Sequence, residues 1–314
     1  MCLRSAACRS EVSDRPVCLL RPWDSAPPRG VDEVHAGIEH GVEQLPRGLA
    51  LGLEQAAAGY KGSEDVIGQS ISHRRGEFAI VSKCGRDVPH VTGEAWSAEL
   101  ITNTIDAALR RLRTDHLDVM LLHSCGKDVL ERGETLGALV RARDAGKIRF
   151  AGYSGDNETA AYAATLTDVA VIETSINIVD QHNIDAVLPT SRQRNLGVLA
   201  KRPIANAAWK PIEVQQGFYK DYAAAYTERF KHLKLHPADF GIGGPPEQAW
   251  PELALRFTLS IPGVHTAIIG TTRPENLRAN VAVANKGPLP PDVVERLRAV
   301  FRAGDPDHTW TAQT

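Results

Sequence analysis

The sequence predicts an α/β fold built on a parallel sheet, on two observations. From about residue 58 onward, short β-branched apolar runs alternate with longer amphipathic stretches. Alternating β and α units imply parallel strands joined by right-handed crossovers. The runs are also apolar almost without interruption, as expected for strands buried on both faces. Six such runs between residues 78 and 272 fit a (β/α)8 TIM barrel better than an open sheet, although periodicity alone does not separate the two.

Taken in order, the first 57 residues fit this rhythm poorly. They hold Cys2, Cys8 and Cys18, scattered prolines and arginines, and no clean strand. Residues 31–45 (GVDEVHAGIEHGVEQ) read as a helix. Residues 48–55 (GLALGLEQ) read only as a weak strand, because glycine interrupts them. The clear strands are FAIVSK (78–83), LDVMLLH (117–123), IRFAGYS (148–154), VAVIETSIN (169–177), LGVLAKR (196–202) and HTAIIGTT (265–272). Between them, residues 97–113 open on Ser97 and set Leu100, Ile101, Ile105, Ala108, Leu109 and Leu112 on one helical face. Residues 133–146 read as a helix ending in a glycine cap before the next strand. Residues 203–250 break the rhythm with Trp209, Phe218, Tyr219, Tyr222, Tyr226, Phe230 and Trp250. An insertion after the seventh barrel strand either lies over the C-terminal mouth, where barrels bind substrates, or packs its aromatics on themselves.

Composition excludes several function classes. Lys and Arg number 36 against 38 Asp and Glu, a formal charge of −2, so no strong field points to nucleic acid or an acidic membrane surface. No apolar run approaches the roughly 18 residues of a membrane span, and the N-terminus lacks the apolar core of a secretory signal. The five cysteines include no CxxC pair, which predicts reduced thiols and a cytoplasmic location. The oligomeric state is not legible.

In a barrel, polar residues at the carboxyl ends of strands form the site. Those ends present Lys83, His123, Ser154, Glu173 with Asn177, Lys201 with Arg202, and Thr271 with Thr272. A lone lysine at a strand end is usually solvated and a lone histidine usually structural. The two on successive strands of one sheet are a stronger signal. Strand ends without paired carboxylates or an H-x-H pair argue against a hydrolase, lyase or metal site.

The segments GYKGSEDVIG (59–68), VSKCG (81–85), LDVMLLHS (117–124), GKIRFAGYS (146–154) and IIGTTRPENLRANV (268–281) resemble the aldo-keto reductase superfamily over residues 56–302. The resemblance implies a barrel that binds NADPH without a Rossmann domain and reduces a small aldehyde or ketone. No G-x-G-x-x-G is present; GIGGPP (241–246) only imitates its start. It implies that Tyr60, in a Y-x-x-S-E motif with Ser63 and Glu64, is the proton donor. Lys83 is then its partner and His123 the group that orients the carbonyl. A phenol is a poor acid at neutral pH, and an ammonium within a few Å favours the phenolate. The imidazole donates a hydrogen bond to the carbonyl oxygen.

Cofactor positions carry over less evenly. Ser154 matches the serine of a G-x-S-N segment at the nicotinamide amide, but Gly155 replaces the asparagine. Glu173 stands where a glutamine usually serves the same amide, and an ionised carboxylate accepts but cannot donate there. Lys201, followed by Arg202, replaces a stacking aromatic and is placed to reach a phosphate. Gly270, Thr271, Thr272, Arg273 and Asn280 match the adenosine 2′-phosphate region, with Arg273 the phosphate ligand.

The largest departure lies upstream. The family's lysine is held by an aspartate five residues before the tyrosine, and that position here is Gln55. Glu54 is one residue off and, by strand alternation, faces the other way. This predicts a buried lysine without a carboxylate, and weak turnover. The alternative reading is therefore a catalytically impaired NADP-binding barrel. Residues 1–55 read as an atypical segment before a barrel over 56–314, within one domain, with the first two strands incomplete or irregular. The abrupt onset of resemblance suggests a shifted reading frame or misassigned start.

Overall fold

Strands that are covered on both sides need apolar residues at every position, and the observed sheet is covered in that way. The computed structural model describes residues 17–20, 53–55, 63–77, 79–214, 219–271 and 274–312. Two short strands come first, β1 (Val17–Leu20) and β2 (Leu53–Gln55), followed by α1 (Ser63–Ile71). Then come β3 (Ala79–Cys84), α2 (Ala98–Leu112), β4 (Leu117–His123), α3 (Lys127–Arg132) and α4 (Glu134–Asp144). They are followed by β5 (Ile148–Ser154), α5 (Asn157–Ala163), β6 (Val171–Ser175), α6 (His182–Ala186), α7 (Leu188–Gln193) and β7 (Gly197–Lys201). The chain ends with α8 (Tyr219–Leu233), α9 (Pro246–Ser260), β8 (Thr266–Gly270), α10 (Pro274–Ala284) and α11 (Pro291–Gly304).

The ladder runs β1-β8-β7-β6-β5-β4-β3-β2. Every pair from β2 to β8 is parallel. β1 instead lies antiparallel on β8, with Val17 opposite Gly270 and Leu20 opposite Ala267. The two ladder ends, β1 and β2, touch, so the sheet curls round as a barrel does. The irregular N-terminal strands expected from the sequence are thus real: β2 is three residues long, and β1 is a reversed strand that the sequence did not signal. The helix expected over 31–45 lies outside the described residues.

Alternate residues sort to two cores. Ala79, Val81, Val119, Leu121, Val171, Leu199 and Ile268 pack together inside the barrel. Ile80, Met120, Leu122 and Ile172 pack outward on Ile101, Ile105 and Leu112 of α2 and Leu139 of α4. Gly152 makes the interior possible between β5 and β6, since a Cβ there would lie 2.4 Å from the Val171 carbonyl and 2.5 Å from Leu121 Cδ2. Ser97 caps α2, its Oγ accepting from Leu100 N. No helix among the described residues is long and apolar enough to cross a membrane.

Within the 203–250 insertion, Trp209 stacks on Trp250 with centroids 5.7 Å apart, and Phe230 meets both edge-on. These three aromatics pack on one another. Phe218 and the side chains of Tyr219 and Tyr222 lie outside the described residues.

Candidate active site

Each inward-facing strand position has a successor one pleat further towards the carboxyl end. Val81 leads to Lys83, Leu121 to His123, Gly152 to Ser154, Val171 to Glu173, Leu199 to Lys201 and Ile268 to Gly270. The ladder sets His123 beside Ser154 and Ser154 beside Glu173. The strand-end residues read from the sequence therefore gather at the barrel mouth, with Lys83 one pleat below His123, opposite Leu121, and Lys201 one pleat beyond Glu173, opposite Ser175.

Two of them meet across the interior. Lys83 Nζ lies 3.1 Å from Glu173 Oε1, and both side chains are only 3% exposed. Ser154 Oγ donates to the same oxygen at 3.1 Å. This corrects the expectation for Lys83: the missing aspartate at position 55 does not leave it without a carboxylate, because β6 supplies one. Glu173 and Ser154, read as amide ligands of a cofactor, here hold each other and the lysine.

His123 is held neutral. Burial, then the positive charges of Lys83, Arg86 and Lys201, push its pKa down to about 2. Arg86 Nε also donates to the His123 carbonyl at 2.9 Å. A neutral imidazole keeps one N–H donor and one acceptor.

Lys201 and Arg202 are engaged with protein. Lys201 Nζ lies 2.9 Å from Asp156 Oδ2, and Arg202 Nη1 donates to Ser175 Oγ at 3.1 Å and lies 4.0 Å from the same Asp156 oxygen. Asp156 also accepts from Thr174 Oγ1, Ser175 N and Oγ, and Asn183 Nδ2. Burial alone would raise its pKa, but Lys201 and these donors hold the carboxyl below its usual value. Sequence reasoning missed Asp156, although it follows Ser154 and Gly155 directly.

After β7 the chain takes an uncommon course. Ala205, Asn206 and Ala207 have φ of 46°, 51° and 56°, a left-handed turn without glycine. Such residues cost about 1 kcal/mol or more each and concentrate at functional sites. Asn206 Nδ2 is buried with no hydrogen-bond partner among the described residues, an unmet donor at the mouth. The sequence carried no signal for it beyond an asparagine after a strand.

The remaining candidates are dispersed. Gly270 is exposed, Thr271 half-buried, and Asn280 buried on α10. Tyr60, Thr272 and Arg273 lie outside the described residues. Glu64, from the tyrosine motif, is an anchor: it accepts from Ser82 Oγ at 2.8 Å and Arg111 Nε at 2.7 Å, tying the start of α1 to β3 and α2.

The chain is similar to known proteins along most of its length. An uncharacterized oxidoreductase, YqkF of Bacillus subtilis, is 24% identical over 250 residues, 76% of this chain and 78% of the relative. The methylglyoxal reductase YeaE of Escherichia coli is 30% identical over 178 residues, 53% of this chain and 58% of the relative. The aldo-keto reductase AKR11C1 of Bacillus halodurans, in its holo form, shares the fold with a TM-score of 0.64 at 21% identity, over 86% of this chain and 88% of its own. A Klebsiella pneumoniae aldo/keto reductase solved with NADP and acetate has a TM-score of 0.59 at 24% identity, over 90% of each chain. The model of the aldo/keto reductase family, whose members are oxidoreductases, matches residues 53–302, and this chain belongs to that family.

Proposed function

We propose that this protein reduces a small aldehyde or ketone to the alcohol with NADPH, at the barrel mouth where Lys83, His123, Ser154 and Glu173 converge. The observation that carries the reading is the meeting of these strand-end groups at the barrel mouth. A buried lysine and a half-buried, neutral histidine at the ends of neighbouring strands β3 and β4 set a cation and an N–H donor at the barrel mouth. Charge developing on a carbonyl oxygen is stabilised most where such donors are fixed in advance.

The residues present fit a dinucleotide. Ser154 offers a hydroxyl for an amide, while Glu173 is turned to Lys83, and Asn206 offers an unmet N–H donor for an anionic group. Gly270, Thr271, Thr272, Arg273 and Asn280 follow the last strand, where a phosphate-bearing adenosine is expected by family pattern. Lys201 and Arg202 act there through Asp156, holding the mouth in place, and not as free phosphate ligands. NADPH, when bound, supplies the hydride.

The chain's own part is proton chemistry. His123 donates its N–H to the carbonyl oxygen and stays neutral throughout, because its charged form is strongly disfavoured. Tyr60 gives its phenolic proton to that oxygen as negative charge grows. Lys83 eases that transfer by stabilising the phenolate. Tyr60→Phe is expected to lower turnover of a short aldehyde panel at least a hundredfold while NADPH affinity, followed by fluorescence, changes less than threefold. Equal turnover in the two proteins would remove Tyr60 from the mechanism. An unmodified protein that binds no NADPH would remove the reading as a whole.

A further inference from the structure

The reductase reading places a charged lysine beside the proton donor, yet the β2 position in register with Val81, two residues before Lys83, is Gln55 and not an aspartate. The carboxylate comes from elsewhere. β3 and β6 are separated in the ladder by β4 and β5, so the 3.1 Å contact between Lys83 Nζ and Glu173 Oε1 spans the barrel interior. Among the described residues Lys83 forms no other ion pair, and the neighbouring cation Lys201 is taken by Asp156.

We propose that Glu173 is the counter-ion of Lys83 and positions it for proton donation, taking over from β6 the role that an aspartate on β2 would hold. The inference rests on the reductase reading for its catalytic part, whereas the pairing itself stands on geometry. An ammonium taken out of water keeps its charge only with an anion at hand. Glu173 is fixed for this task, since Ser154 Oγ donates to the same oxygen that faces the lysine. Among the described residues, His123 on β4, neutral, feels the charge of Lys83, and the cations Lys201 and Arg86 bring further positive charge to that histidine. Glu173 is a positioning residue: it acts on the carbonyl through Lys83 and Tyr60.

The test compares the full-length protein with Glu173→Gln and with Glu173→Gln/Gln55→Asp. Glutamine keeps the shape and the acceptor for Ser154 while removing the charge. Glu173→Gln is expected to lower kcat at saturating NADPH at least tenfold, to leave the NADPH Kd within about threefold, and to narrow the pH range of activity at its alkaline side. The second substitution, which returns a carboxylate to β2, is expected to recover most of the loss. A raised Kd with unchanged kcat, or no recovery in the double variant, would overturn the proposal and leave Glu173 a cofactor ligand. A second readout does not depend on turnover: the rate at which Lys83 is acylated by a small amine-directed reagent at pH 8, followed by mass spectrometry. That rate should rise about tenfold in Glu173→Gln, because only the neutral amine reacts, and fall again in the double variant. If the unmodified protein reduces no carbonyl compound but the labelling shifts as described, the pairing stands and the reductase reading falls. Unchanged labelling overturns the pairing.

Discussion

Gly155 shows how one residue explains a departure from family pattern. A Cβ at position 155 would lie 2.4 Å from the Tyr153 hydroxyl oxygen and 2.6 Å from its ring. That ring cannot swing aside without cost, because its hydroxyl donates to the Cys125 carbonyl at 2.8 Å in a buried setting. Gly155→Asn should therefore destabilise by about 1–3 kcal/mol, the range for overfilling a packed site, and Tyr153→Ala should relieve the effect. Denaturant midpoints of the three variants check this; additive losses in the double variant would show that the two positions do not compete for space. At this scale the sequence was informative where strand ends carry polar residues. Lys83, His123, Ser154 and Glu173 were all legible from their position after apolar runs. The Lys83–Glu173 pair was not, because its two members are ninety positions apart and meet only through the curl of the sheet. A second residue pair links folding to acidity. His123 stays neutral when folded, so acidification below about 6.5 favours the unfolded chain, which takes up the proton, by up to about 1.4 kcal/mol per pH unit. Asp180 behaves oppositely: burial, with Asp156 nearby, raises its pKa to about 6, so between pH 6 and 4 the folded chain holds a proton that the unfolded chain does not. The two effects offset one another in that window. Relative to the unmodified protein, Asp180→Asn should lose stability as the pH falls from 6 to 4 and His123→Gln should gain it, as read from urea unfolding at each pH.

At the scale of elements, helices followed their sequence signals closely. α2 begins after Ser97 as expected, and five of the six residues assigned to its apolar face are buried, with Leu109 half-buried against the same core. Ser97→Ala should cost about 1 kcal/mol, the worth of an N-cap, measured as a shift in thermal unfolding; no shift would mean that Glu134, whose Oε1 accepts from Ala98 N, caps the helix alone. Strands β3 to β8 were legible from their unbroken apolar runs. β1 was not, because four residues, VCLL, between an arginine- and proline-rich stretch on either side carry too short a period to read. The 203–250 insertion shows the limit of composition. Its aromatic richness left open a place over the substrate mouth, yet Trp209, Phe230 and Trp250 fill one another's surfaces, and Tyr226 is buried with its hydroxyl on Asp180.

For the whole molecule, the barrel class was decided by resemblance, since periodicity alone left an open sheet available. What neither supplied was the manner of closure, in which a reversed strand completes the edge that β8 would otherwise expose. This arrangement has a consequence during synthesis. β1 leaves the ribosome about 250 residues before its partner β8, an interval on the order of 10–50 s at 5–20 residues per second. Until then the parallel strands can assemble one after another as they emerge, each finding its neighbour already made, while VCLL waits without a hydrogen-bonding partner. Closure is consequently a late event of high contact order. The nascent chain spends its longest exposed phase with one apolar strand and one sheet edge that only each other can satisfy.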